Sequence, residues 1–251
     1  MNPKLFPEII AFLAIATAAF AEVTVQTEQL NPADPTWNFK SIPRPSKSDL
    51  ASGGKITVVC NPLEVTAGEA SVLVNGVLPC DSLDLTEEAL LSNGNADSGR
   101  VIVDLGRVQP IAGVTSYSWH EWDVDDGSRG PQVYTVYGSA AENPDPANLA
   151  LWTKIADVDT RPNRTGEKWN GQHGVFIHDT GGKLGDFRRL LFEIHPTHSP
   201  KQPTASMTHT LFSEIDVHST ATLARAGDAT VVKPQKIEHV WVVFKTHLDI
   251  G

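Results

Sequence analysis

Hydrophobic and polar positions alternate along much of this chain, most clearly between Val101 and Ser139. In VIVDL, Val101, Val103 and Leu105 alternate with Ile102 and Asp104. Gly106 to Pro110 then breaks the run. IAGVTSYSWH sets Ile111, Thr115, Tyr117 and Trp119 on one face, and QVYTVYGS does the same with Val133, Thr135 and Tyr137. A period of two sends successive side chains to opposite faces of a strand. Bounded by Gly, Pro and Asp clusters, the runs predict three half-buried antiparallel strands. The polar stretch His120 to Pro131 joins the last two, and loops on a rigid scaffold are where binding concentrates.

The pattern extends outward. Lys55 to Val59 predicts a first strand, and Ser71 to Val77 another that turns at Asn75-Gly76. Trp152 to Val158, Val175 to His178 and Arg189 to His195 follow, with Trp152 expected to plug the core. Thr210 to His218 closes the set, with Leu211, Ser213, Ile215 and Val217 on one face. Helical patterning is scarce, and LTEEALL (Leu85 to Leu91) is its best instance. Glu22 to Asp49, rich in Pro, Ser and Asn, reads as an extended arm pinned by Trp37 and Phe39. Thr220 to Gln235 has a linker's composition. The last stretch, Lys236 to Gly251, differs: VWVVF is continuously apolar, which suits a strand covered on both faces, as in a parallel sheet.

The 251 residues are 40% hydrophobic and 20% charged, which suits one large or two small globular domains. Net charge is −10, from 30 acidic against 20 basic residues. No Lys/Arg-rich patch stands out, so nucleic acid is not expected as a partner. Residues 1–21 read as a secretory signal: Ile9 to Phe20 is apolar, Lys4 supplies positive charge and Ala19-Phe20-Ala21 fits a cleavage site. The run is short for a membrane anchor, so a secreted or periplasmic location without a membrane span is expected. The two cysteines, Cys60 and Cys80, leave two readings open. One is a disulfide closing a loop of about 20 residues, worth ~3 kcal/mol if unstrained; the other is a pair of buried thiols too far apart to bond. Asn163-Arg164-Thr165 is a glycosylation sequon.

The VDLG strand, the GV strand, the loop, the VYG strand, Trp152 to Ile155 and the closing FSEIDVH (Phe212 to His218) together resemble the coagulation-factor-5/8 type C, or discoidin-like, domain. The resemblance covers Ser46 to Ser219. It implies a galactose-binding-like antiparallel β-sandwich, or jelly roll. VVFKTHLDIG resembles the opening strand of family-38 glycoside hydrolases of the α-mannosidase type. The expected organisation is then a signal peptide (1–21), an arm (22–45), a discoidin-like sandwich (46–219), a linker (220–236) and the stub of a separate α/β domain (237–251) that continues downstream in a longer parent.

Three constellations could carry chemistry. His247 and Asp249, two apart on a predicted strand, leave on one face and can meet on one metal. The hydrolase resemblance makes them zinc ligands, with the remaining ligands and catalytic carboxylates in the downstream domain; the competing reading is a plain terminal strand. The sandwich resemblance implies calcium held between an Asp/Asn loop and a Glu near the last strand, here Asn93, Asn95 and Asp97 with Glu214. Hard oxygen ligands suit that ion, and an Asx-turn loop with a surface Glu is the alternative. A glycan face is expected from His120, Trp122, Asp123, Asp125, Asp126 and Arg129 in one loop, and Arg161, Arg164, Trp169 and His173 in another. Sugars bind flat aromatic faces flanked by polar groups; against this stands a purely structural loop. Trp119 continues its strand and is expected in the core. No nucleophile elbow, phosphate loop or HExxH zinc pair is present. The expected function is a non-catalytic accessory module, with weak glycan binding, of a secreted metal-dependent glycoside hydrolase. The alternatives are a free-standing adhesion domain and a structural domain without ligand.

Overall fold

A computed structural model describes residues 22–59, 64–80, 86–87, 89–92, 98–122, 133–160, 169–195, 197–198, 206–207, 209–224, 226–227 and 230–231. The strands in chain order begin with β1 (Val23–Leu30), β2 (Lys55–Val59), β3 (Glu64–Ala67), β4 (Val77–Leu78) and β5 (Ala89–Ser92). Next come β6 (Gly99–Ile111), β7 (Gly113–Trp122), β8 (Val133–Ser139), β9 (Thr153–Asp159), β10 (Trp169–Asp179) and β11 (Gly185–His195). The set ends with β12 (Thr197–His198), β13 (Ser206–Met207), β14 (His209–Phe212), β15 (Glu214–His218) and β16 (Thr230–Val231).

Two antiparallel sheets make a β-sandwich. One has the order β1-β10-β7-β15 and the other β2-β6-β11-β8-β9. Strands distant in sequence are neighbours, as when β1 pairs with β10 and β7 with β15. Their facing sides share one core cluster, with Val114, Val175 and Ile215 from the first sheet and Val103, Tyr134 and Phe192 from the second. Each such side chain contributes about 1.5–3 kcal/mol by leaving water. The all-β sandwich expected from the alternation is therefore what the chain forms.

The first sheet is covered on its other face as well. After β1 the chain crosses that face, and Trp37, Phe39 and Ile42 pack there with Leu78, Tyr117, Trp119 and Phe176. Trp37 is 0% exposed and meets Phe39, Tyr117 and Trp119 edge-on at centroid distances of 6.4, 6.4 and 5.9 Å. Its indole N–H donates to the Pro79 carbonyl at 3.2 Å. Trp37 has φ 53°, a left-handed conformation that costs a bulky residue roughly 1–2 kcal/mol. Burying an indole of 150–250 Å² returns about 4–6 kcal/mol, so packing outweighs the backbone strain. Polar contacts fix the crossing: Gln172 accepts from the Asp34 N–H and donates to its carbonyl, both at 2.8 Å. The Glu28 carboxylate accepts from the Lys40 and Ser41 N–H groups. The chain then runs along the edge of β15, where the Leu50 N–H donates to the Val217 carbonyl at 2.7 Å.

Several elements differ from the sequence expectation. The arm expected over 22–45 begins with a strand, β1, whose eight residues pair with β10. Ser71 to Val77, expected as a strand, instead holds a 3-10 turn over Ala70–Val74, followed by Asn75 and by Gly76 at φ 69°. Gly106 to Pro110 does not break β6; Gly106 takes φ 78°, and the ladder with β11 shifts register between Phe187 and Arg189. Leu85 to Leu91 forms no helix where it is described. Ala89–Ser92 is β5, held between β3 and β14, and two ladders outweigh the propensity of a run too short to nucleate a helix. In β8 the face that reaches the main core carries Tyr134 and Val136, and Val133, Thr135 and Tyr137 alternate with them. Ile111 enters the main core while Tyr117 and Trp119 face Trp37, because the chain changes sheet between β6 and β7. Trp152 packs outside the main core, with Ile102 and Leu191 on the far side of the five-stranded sheet.

Replacing Trp37 by Ala is expected to lower unfolding free energy by about 3–5 kcal/mol, the usual loss for a buried aromatic. Urea unfolding measures this, and a loss below about 1 kcal/mol would mean that the crossing segment is loosely held.

Candidate functional site

One end of the four-stranded sheet pairs the described ends of the two stretches expected to contact sugar. In the β7–β10 ladder Trp122 lies directly opposite Trp169, Glu121 opposite Asn170 and His120 opposite Gly171. His120, Trp122 and Trp169, expected in loops, thus lie on paired strand ends at one rim, because the backbone ladder carries on past the point where the apolar alternation stops. Arg129, Arg161 and Arg164 lie outside the described residues, as do Asp123, Asp125 and Asp126. His173, expected in the second loop, belongs to β10 and is 6% exposed. Burial pulls its imidazole down to about 3, so it is neutral and turned away from solvent. Trp119 is buried as expected, though under Trp37 rather than between the sheets.

The second site starts at Glu214, the first residue of β15, a strand buried along its whole length. Glu214, Asp216 and His218 share a face by strand periodicity. Glu214 Oε2 accepts the Gly76 N–H at 2.9 Å, while Oε1 is buried and accepts no hydrogen bond. Asp216 Oδ2 accepts from the Ser46 N–H at 2.8 Å and the Tyr117 hydroxyl at 3.2 Å. Asp49 Oδ1 accepts from Ala51 at 2.6 Å and Val217 at 2.9 Å, and its Oδ2 from the Ser52 hydroxyl at 2.6 Å. Burial, with Asp216 and Asp49 nearby, raises Glu214 well above the usual carboxyl range. Burial likewise raises Asp49. His218 has Nε2 at 3.0 Å from Thr115 Oγ1 and is pulled down to about 4 by burial, so it brings no positive charge.

An orphaned carboxylate oxygen among other carboxylates is a place a hard cation fits, since such a group is costly to bury alone. The expected loop ligands Asn93, Asn95 and Asp97 lie outside the described residues. Ser92, just before them, pairs with His209, five residues ahead of Glu214. The described groups that act on the Glu214 carboxylate are instead the Gly76 N–H, Asp216 and Asp49. Among the described residues no group of three or more His, Cys, Asp or Glu side chains converges as metal ligands. Sequence reasoning missed Asp49, Asp216 and Gly76. The spacing of S-E-I-D, two acids on one strand face, was the available signal for Asp216; nothing local marks Asp49.

Cys80 is a half-buried free thiol, and Cys60 lies outside the described residues. His247 and Asp249 also lie outside them. No helix among the described residues is long and apolar enough to cross a membrane.

No family model matches the chain. No curated protein matches it either. Among solved structures it is similar to CpGH89CBM32-6 produced by Clostridium perfringens, at 16% identity and TM-score 0.37, over 68% of this chain and 99% of that one. The lectin domain of lectinolysin complexed with Lewis B antigen matches at 16% identity and TM-score 0.41, over 69% of this chain and 97% of that one. Chitosan-binding module 1 from a Paenibacillus sp. IK-5 chitosanase/glucanase matches at 17% identity and TM-score 0.40, over 68% and 98%. At such identities and TM-scores, the functional reading rests on this chain's own residues.

The folded chain holds the Glu214 proton at pH values where an unfolded glutamate, near 4.5, has lost it. Its stabilising contribution is therefore complete below that value and is lost as pH rises toward the folded one. Glu214→Gln mimics the protonated acid. In chelator-treated buffer this variant is expected to gain stability relative to wild type as pH rises from 5 to 8. Urea midpoints across that range check the sign, and a relative gain by the wild type would contradict it.

Proposed function

We propose that this chain is a carbohydrate-binding β-sandwich of the discoidin-like kind, exported from the cell and without catalytic chemistry of its own. The observation that carries the reading is the register that sets Trp122 opposite Trp169 at one rim. Indole rings offer the flat faces on which pyranose rings stack. The loops that grow from these positions carry Arg129, Arg161 and Arg164 and several aspartates, groups that pair with sugar hydroxyls. Export follows from the leader pattern of residues 1–21.

Calcium belongs to the same proposal. Glu214 would hold it, with the orphaned Oε1 as the oxygen still to be satisfied, and the ion would supply the positive charge that the buried carboxylates lack. His247 and Asp249 would serve zinc only alongside a downstream hydrolase domain. In that longer parent the sandwich acts as an accessory module that keeps the enzyme near its glycan.

A glycan array followed by calorimetry tests the sugar site. Trp122→Ala and Trp169→Ala should each weaken binding by about tenfold or more, the effect of losing a stacking platform of ~1.4 kcal/mol. Absence of any glycan ligand, or binding untouched by both changes, would defeat the reading. Millimolar calcium should raise the wild-type melting temperature, as expected for weak extracellular sites. Glu214→Gln should abolish that rise; a rise of equal size in the variant would move calcium elsewhere.

A further inference from the structure

The dipeptide Asn75–Gly76 is chemically fragile in an open chain. The glycine nitrogen, unshielded by a Cβ, attacks the asparagine carboxamide carbon and gives up its proton. The bond from that carbon to Nδ2 breaks, ammonia leaves and a five-membered succinimide remains. Water then opens the ring to aspartate or isoaspartate. Asn75 is exposed, so water can reach it.

The fold requires this dipeptide. Gly76 has φ 69°, and a Cβ there would lie 2.3 Å from Lys47 Cβ and 2.4 Å from its Cα, so no side chain is tolerated. Asn75 Oδ1 accepts the Val77 N–H at 2.7 Å, an Asx turn that closes the corner.

The same contacts keep the attack from happening. With Asn75 at ψ −10°, the Gly76 nitrogen nearly eclipses the backbone nitrogen of Asn75, and the carboxamide beyond Cβ stands out of line. Rotation would break three hydrogen bonds: Gly76 N–H to Glu214 Oε2 at 2.9 Å, Val77 N–H to Asn75 Oδ1 at 2.7 Å, and Asn75 Nδ2 to Glu87 Oε2 at 3.2 Å. Glu214 is 0% exposed, so the first of these is shielded from water.

We propose that Asn75 is a latent deamidation site, and that Glu214 holds it inert by fixing the Gly76 nitrogen. Release is one-way. Conversion places a new carboxylate beside Glu87, and isoaspartate also lengthens the main chain within the turn. The inference does not depend on glycan or calcium binding.

The full chain is incubated in mildly alkaline buffer with a chelator, folded or unfolded in urea, and peptide mapping by mass spectrometry reads conversion at Asn75. The map resolves Asn75 from the other Asn-Gly pairs at Asn93 and Asn170. Folded protein should convert on the order of tenfold or more slowly, because attack waits for opening of the turn. Glu214→Leu, which leaves the Gly76 N–H unpaired, should raise the folded rate by a similar factor. Glu214→Gln keeps an acceptor oxygen and should stay near wild type. Equal rates in folded and unfolded wild type, or a Leu variant as slow as wild type, would overturn the proposal. If the Leu variant does not fold, the folded-to-unfolded ratios of wild type and the Gln variant decide it.

Discussion

A sheet buried on one face can leave its other face to water, but Gly113 to Trp119 of β7 and the whole of β15 are buried on both faces. Ser116 on the inner side bonds Tyr134, while Tyr117 and Trp119 on the outer side lie beneath Trp37. Covering both faces is the constraint on which the rest of the structure depends. It draws the segment after β1 across the sheet, puts a tryptophan into a left-handed conformation, and carries the chain on to seal the edge of β15. Without Trp37 the aromatic rings of Tyr117, Trp119 and Phe176 would form an exposed apolar patch of the kind soluble proteins rarely keep.

That covering has an electrostatic cost. Sealing the edge takes Asp49, Glu214 and Asp216 out of water together, with a neutral His218 beside them. Backbone N–H groups and hydroxyls offset the cost for Asp49 and Asp216, whose oxygens tie residues 46 to 51 to β15. Glu214 bonds through one oxygen only. Its one bonded oxygen fixes the Asn75–Gly76 turn, and its other is where a proton or a cation can sit. A single carboxylate thus links edge closure, turn chemistry and the proposed ion.

The rim follows different physics. The pairing of β7 with β10 is antiparallel, so the end of one strand and the start of the other meet at one end of the sheet. Trp122 and Trp169, set opposite one another by this pairing, are far apart in sequence, a separation that no local spacing would group. Periodicity ended both strands too early and had no means of pairing them.

Much of the fold was legible in local pattern. Alternation in VIVDL and EIDVH needs only the two-residue repeat of a strand, and the arm's role for Trp37 and Phe39 follows from two large aromatics in a polar stretch. The face assignments were less so: in β8 both Tyr134 and Tyr137 are aromatic, and only the opposing sheet decides which is inside. Ser71 to Val77 reads as a strand because its residues favour one, yet it turns into a 3-10 corner because Gly76 must pass against Lys47. The sequence by itself determined that the chain would be built of half-apolar strands, because a period of two is a property of the backbone. Only the tertiary structure decided which acids lost their water and which strand ends became neighbours, because desolvation and strand pairing depend on residues far away along the chain.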